Sequence, residues 1–207
     1  MHDDATLLSA WREGDASAGK ALVARHFPAI YRFFANKLGS DVDDLVQQTF
    51  LACVEGRDRV RDDAGFRAYL FGVARNRLMR HFRDRGGRGG EPERTVDALP
   101  AATVSVAEQM AKRREQKLLL QALRRLPLDL QIAVELAYWE NLSDREVAAI
   151  LELPLGTFKS RLRKARMLLA EAMAELAGQG ALLESTTVGL DRWVASIRAE
   201  LEQASLR

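Results

Sequence analysis

One stretch, residues 84–105 (DRGGRGGEPERTVDALPAATVS), constrains this chain more than any other. On both sides of it apolar residues recur at helical spacing, and within it they do not. Rich in Gly, Pro and small residues, it reads as a flexible linker. A chain patterned in this way predicts an all-α fold of two helical bundles joined by that linker. Strand-like alternation is hard to find, and no repeat recurs at solenoid periods. The expected organisation is a first bundle over 1–85, the linker over 86–110, a second bundle over 111–177 and a C-terminal extension over 178–207.

In the first bundle the pattern predicts helices near 4–13, 16–38, 41–55 and 64–84. Val42, Leu45, Val46, Thr49, Phe50 and Cys53 share one face of the third, and Phe66, Tyr69, Leu70, Val73, Ala74, Leu78 and Phe82 form a stripe on the fourth. Beyond the linker, helices are expected near 106–125, 128–139, 143–152 and 155–175, with ends marked by Pro127, Asn141 and Leu153-Pro154.

Ser143-Asp144-Arg145-Glu146 fits a capping box at the start of the 143–152 helix. A short turn expected to hold Gly156 then leads to a second helix, the spacing of a helix-turn-helix whose second member can enter a major groove. Phe158, Leu162, Ala165 and Leu169 would pack inward. Thr157, Lys159, Ser160, Arg163 and Lys164 would face outward, with Arg161 and Arg166 on the flanks, and no acid occurs from Leu155 to Ala170. A basic face alone is often only a solvated face. With the capping box and turn beside it, DNA is the better reading, with Thr157, Lys159, Ser160 and Arg163 toward base edges and Arg161, Lys164 and Arg166 toward phosphates.

The fourth helix ends in Arg75, Arg77, Arg80, Arg83, Arg85 and Arg88, a second footprint for a phosphate backbone; Asn76, Arg80 and Arg83 share a face. Asp41, Asp43 and Asp44 open the third helix, where acids suit the positive end of the helix dipole. Gln47 and Gln48, one turn on, suit either plain solvation or protein docking. The charged loop at 56–63 could be a solvated turn or a grip for an unpaired base.

Net charge is only +2, from 31 basic and 29 acidic residues, so it is the distribution of charge that points to nucleic acid. One cysteine, Cys53, and three histidines without metal-ligand spacing imply no disulfide, metal or cofactor. No paired carboxylates or phosphate loop suggest catalysis, so a nucleic-acid enzyme is disfavoured. An acidic N-terminus and the lack of a run of about eighteen apolar residues predict a cytoplasmic protein with no membrane insertion.

The segments DVDDLVQQTF, FRAYLFGVARNRLMRHFR and LRRLPLDLQIAVELAYWENLSDREVAAILELPLGTFKSRLRKAR resemble the second and fourth regions of sigma-70-family RNA polymerase sigma factors of the extracytoplasmic-function group. The likeness covers about residues 5–85 and 112–175. It implies a promoter-specificity subunit that binds core RNA polymerase and promoter DNA and directs initiation, often under an inhibitory anti-sigma partner. It also implies that Asp41, Asp44, Gln47 and Gln48 meet polymerase, that Arg75, Asn76, Arg80 and Arg83 meet the melted strand, and that the 56–65 loop holds a flipped base. A free-standing dimeric helix-turn-helix regulator is the alternative.

Three departures from that family stand out. Gln48 replaces a usual Glu, Phe158 replaces a small branched residue and is expected to push the recognition helix outward, and the tail beyond 178 carries a stripe of Leu190, Trp193, Val194, Ile197 and Leu201.

Overall fold

The computed structural model describes residues 3–60, 65–85, 117–140 and 142–177, and among them every regular element is helical. The chain divides into two compact units, Met1–Val96 and Asp97–Arg207. The linker reading and the apolar stripe of the C-terminal extension lie outside the described residues.

The first unit contains α1 (Asp4–Arg12), α2 (Ala16–Ala35), α3 (Val42–Gly56), a 3-10 turn at Arg57–Arg59, and α4 (Gly65–Asp84). Local chemistry sets the starts of α1 and α2: the Asp3 carboxylate accepts from the Thr6 amide at 2.8 Å, and the Asp15 carboxylate accepts from Ser17 and Ala18. Leu22, Ile30 and Phe34 of α2, Leu45 and Val46 of α3, and Phe66, Leu70, Ala74 and Leu78 of α4 fill the core. Each of these apart from Ala74 contributes about 1.5–3 kcal/mol when fully buried. The expected α4 stripe omitted Phe71, which is fully buried and edge-on to Phe33 at 5.7 Å. It is buried because α4 packs against α1, α2 and α3 and so hides more than one face.

Two buried polar groups hold α2. Lys37 is 2% exposed; its ammonium donates to the Phe33 carbonyl at 2.7 Å and lies 3.8 Å from the Phe33 ring centre. Asp4 of α1 binds His26 and Arg25, both at 2.6 Å. Burial pushes the Asp4 carboxyl up, but the hydrogen bonds and charges of His26 and Arg25 outweigh it and hold the pKa below the ordinary carboxylate value. The folded pKa being the lower one, the stabilisation is complete above the unfolded value and fades as pH falls through the folded one. Asp4→Asn should therefore lower the thermal midpoint at neutral pH, and the gap from the parent chain should close in acid; a gap constant with pH would contradict the ionic role.

The second unit contains α5 over residues 117–125, α6 (Leu128–Val134), α7 (Asp144–Ile150) and α8 (Leu155–Ala177). The helix expected over 128–139 is not uniform: α6 ends at Val134 and Glu135–Trp139 continues as a π turn. The turn closes with the Glu140 amide donating to the Glu135 carbonyl at 3.1 Å. Glu135 is buried with Gln131, whose amide donates to its carboxylate at 3.1 Å. Leu119, Leu123 and Leu126 meet Leu130, Val134, Trp139, Ala165 and Leu169 in one apolar cluster.

Candidate nucleic-acid and protein interfaces

The capping box forms as expected. The Ser143 amide donates to the Glu146 carboxylate at 2.7 Å, and the Glu146 amide donates to the Ser143 hydroxyl at 3.3 Å. α7 stops differently from the expectation. Gly156 is the second residue of α8, and the left-handed residue of the turn is Glu152, at φ 57°. The Leu153 amide donates to the Ala148 carbonyl at 2.9 Å and the Glu152 amide to the Ala149 carbonyl at 3.1 Å, which is the Schellman pattern, with Glu152 where glycine is usual. Pro154 follows, and its carbonyl accepts the Phe158 amide at 2.9 Å, opening α8.

The roll of α8 is set by its apolar side. Phe158 and Ala165 are 0% exposed, Leu169 is buried, and Leu162 packs on the cluster. Thr157, Lys159, Ser160, Arg161, Arg163 and Lys164 are consequently exposed. Arg166 is half-buried, its guanidinium 5.9 Å from the Tyr138 ring centre. Lys159 lies 3.8 Å from Asp144 and Arg161 3.2 Å from Asp129, whereas Arg163 and Lys164 make no ion pair among the described residues. Exposed pairs of this kind are worth roughly 0–1 kcal/mol, so they can yield to phosphate.

In the first unit α3 and α4 enclose a groove of about 390 Å³, with Asp41, Asp44 and Gln48 on one wall and Arg77, Arg80 and His81 on the other; of the residues expected to meet the melted strand, Arg80 lines it and Arg75, Asn76 and Arg83 do not. Asp41 stands at the N-cap of α3 but in a left-handed conformation, φ 62°, with no capping bond. Its carboxylate instead pairs with Arg85 and lies 4.0 Å from His81, so it stands at the start of the helix without capping an amide there. The Gln48 amide donates to Asp44 at 2.7 Å, and Arg80 is 3.8 Å from Asp84. Asn76 and Arg83 are exposed, and Arg75 is half-buried.

Gln47 is exposed and stands outside the groove lining, at i, i+4 and i+7 with Leu51 and Val54 on α3. Leu51 is 52% exposed, and Val54, Phe27 and Tyr31 are also exposed. Phe27 stacks on both Tyr31 and Phe50, at 6.1 Å in each case. The sequence signal for these exposed apolar residues is that Leu51 and Val54 fall outside the expected apolar stripe of α3.

Cys53 is buried, and burial pushes its thiol up to about 12, which removes the thiolate that reactivity needs. Among the described residues no group of three His, Cys, Asp or Glu is placed to hold a metal, and no helix is long and apolar enough to cross a membrane.

The Sigma-70 region 2 family model matches residues 22–88, and the Sigma-70 region 4 model matches residues 116–169. The ECF RNA polymerase sigma-E factor of Escherichia coli strain K12 is 29% identical over 174 residues, covering 79% of this chain and 90% of the relative. That of Haemophilus influenzae is 24% identical over 184 residues, covering 84% and 96%. Among solved structures, CnrH in complex with the cytosolic domain of CnrY aligns at TM-score 0.61 and 26% identity, over 86% of this chain and 99% of that one. The sigma factor RpoE with the anti-sigma factor NepR from Bartonella quintana aligns at TM-score 0.60 and 27% identity, over 74% and 95%.

Proposed function

The chain belongs to the sigma-70 family, in its extracytoplasmic-function group, and from that premise we propose which of its surfaces carry out promoter recognition. It is a sigma factor that binds core RNA polymerase and promoter DNA and directs transcription initiation. The observation that carries this is the pair of family matches in order along one chain, the second holding a capped helix-turn-helix with an acid-free outer face.

In our reading α8 enters the major groove of the upstream element. Thr157, Lys159, Ser160 and Arg163 face base edges, while Arg161, Lys164 and Arg166 hold phosphates. Asn76, Arg80 and Arg83, with Arg75 behind them, address the melted strand. Asp44, Gln47 and Gln48 dock on polymerase together with the apolar surface of Leu51 and Val54, and Asp41 contributes by holding Arg85 beside them. The protein acts in the cytoplasm and catalyses nothing itself; polymerase makes the RNA. RpoE is seen with its anti-sigma factor NepR, and CnrH with the cytosolic domain of CnrY, which supports an inhibitory protein partner for this chain as well.

Purified core polymerase plus this chain should start transcripts at a defined set of bacterial promoters that core alone ignores; no specific start anywhere would end the reading. In the same assay Asp44→Ala with Gln47→Ala should raise the concentration needed for half-maximal initiation by about tenfold, the result of losing roughly 1.4 kcal/mol at an interface. Undiminished association by a folded double variant would refute the docking role.

A further inference from the structure

The turn that leaves α3 is held from two sides. On one side Gly56 closes against α4, where a Cβ would stand 2.1 Å from the Tyr69 hydroxyl, so a larger residue would have to displace that side chain. Val60 ends the turn with its side chain buried and its amide donating to the Arg57 carbonyl at 3.3 Å. On the other side stands Arg12, the last residue of α1. Its Nε donates to the Arg57 carbonyl at 3.2 Å and its Nη2 donates to the Val60 carbonyl.

One planar guanidinium thus grips the first and last carbonyls of the turn, a match that its fixed fork makes possible and that an ammonium cannot reproduce. Arg57 returns the contact, its guanidinium lying 5.8 Å from the Trp11 ring centre. Trp11 is itself immobilised: it is buried, edge-on to Phe66, and lodged where Gly19 offers no Cβ. A charged surface turn ordinarily keeps its conformational freedom. This one is braced at both ends, and between them Asp58 and Arg59 stand exposed.

We propose that Arg12 is a positioning residue for base recognition: by fixing the backbone of residues 57–60 it presents Asp58 and Arg59 at one place to an unstacked base of the melted promoter strand. Arg12 lies ahead of the residues matched by the region 2 model, so α1 adds it to the matched segment. The inference rests on the sigma-factor reading, in which the resemblance implies that the 56–65 loop meets a flipped base of the melted strand. Specificity for a base depends on polar groups held in place before the base arrives, since a loose turn adapts equally to all four.

The test uses the full chain with core polymerase on a promoter library randomised across the melted element and across the upstream duplex element. Arg12→Met removes both donating nitrogens and keeps the aliphatic stem; Arg12→Lys keeps the charge and one donating nitrogen but not the fork. The expected result is that Arg12→Met stays folded and keeps its duplex preferences but loses about tenfold of its preference at one melted position, a loss in line with that of charge-assisted hydrogen bonds. Arg12→Lys should restore part of it. Unchanged preference in folded Arg12→Met, equal losses at both elements, or unfolding of both variants would overturn the proposal. A parent holoenzyme without preference at any melted position would instead overturn the reading beneath it.

Discussion

Phe158→Ala should destabilise the second unit by about 3–5 kcal/mol, the range for removing a fully buried aromatic ring and leaving a void. Phe158 is 0% exposed and sits in the first turn of α8, immediately after the Schellman turn and Pro154. The same turn bears Thr157, Lys159 and Ser160, so a void beneath it loosens the residues proposed to meet base edges. Denaturant unfolding and amide exchange across α7 and α8 would measure the loss. Phe158→Leu, which refills most of the volume, should cost markedly less, and a loss below about 1 kcal/mol for the alanine variant would show that the site collapses instead of remaining open. A small branched residue at this position was the family expectation, and the larger ring was expected to push the helix outward. What the structure adds is that the whole ring lies in the core.

That example marks how far the amino-acid pattern could be read. Periodicity and punctuation delivered the helices, because Pro127, the Ser143–Glu146 box and Leu153-Pro154 act locally and their chemistry is visible in a few residues. Where tertiary context overrode local rules, the pattern was silent. Glu152 occupies a left-handed position that favours glycine, so Gly156 attracted the turn assignment. Asp41 has the composition of a helix cap, yet Arg85 and His81, forty or more residues later, claim its carboxylate. Likewise Glu135 looks like a surface residue of an amphipathic helix, yet in the π turn it is buried with Gln131, whose amide donates to it. Of the site residues, those of α8 were legible because one helix presents them together. The meeting of Asp44 and Gln48 with Arg77 and Arg80 in one groove needs the packing of α3 on α4, which no spacing rule encodes.

Neutralising the open face of α8 should have the largest effect on DNA. The triple variant Lys159→Ala, Arg163→Ala, Lys164→Ala is expected to lose most of the measurable affinity for the upstream duplex, since Arg163→Ala alone should cost about 1–3 kcal/mol if it reads a base and less if it touches phosphate. The three residues differ in their starting state. Arg163 and Lys164 make no ion pair among the described residues, whereas Lys159 must first leave Asp144. Salt separates the two kinds of contact. Each lost phosphate contact should lower the slope of log affinity against log salt by about 0.9, while a lost base contact should weaken binding with little change of slope. Lys164→Ala should therefore flatten the salt dependence nearly uniformly across promoter sequences, and Arg163→Ala should relax preference at one base pair. Anisotropy titrations of the holoenzyme on duplex promoters over a range of salt concentrations would read both. Full affinity and an unaltered slope in the folded triple variant would mean that the basic face of α8 is turned away from DNA, and the assignment of the recognition helix would have to be abandoned.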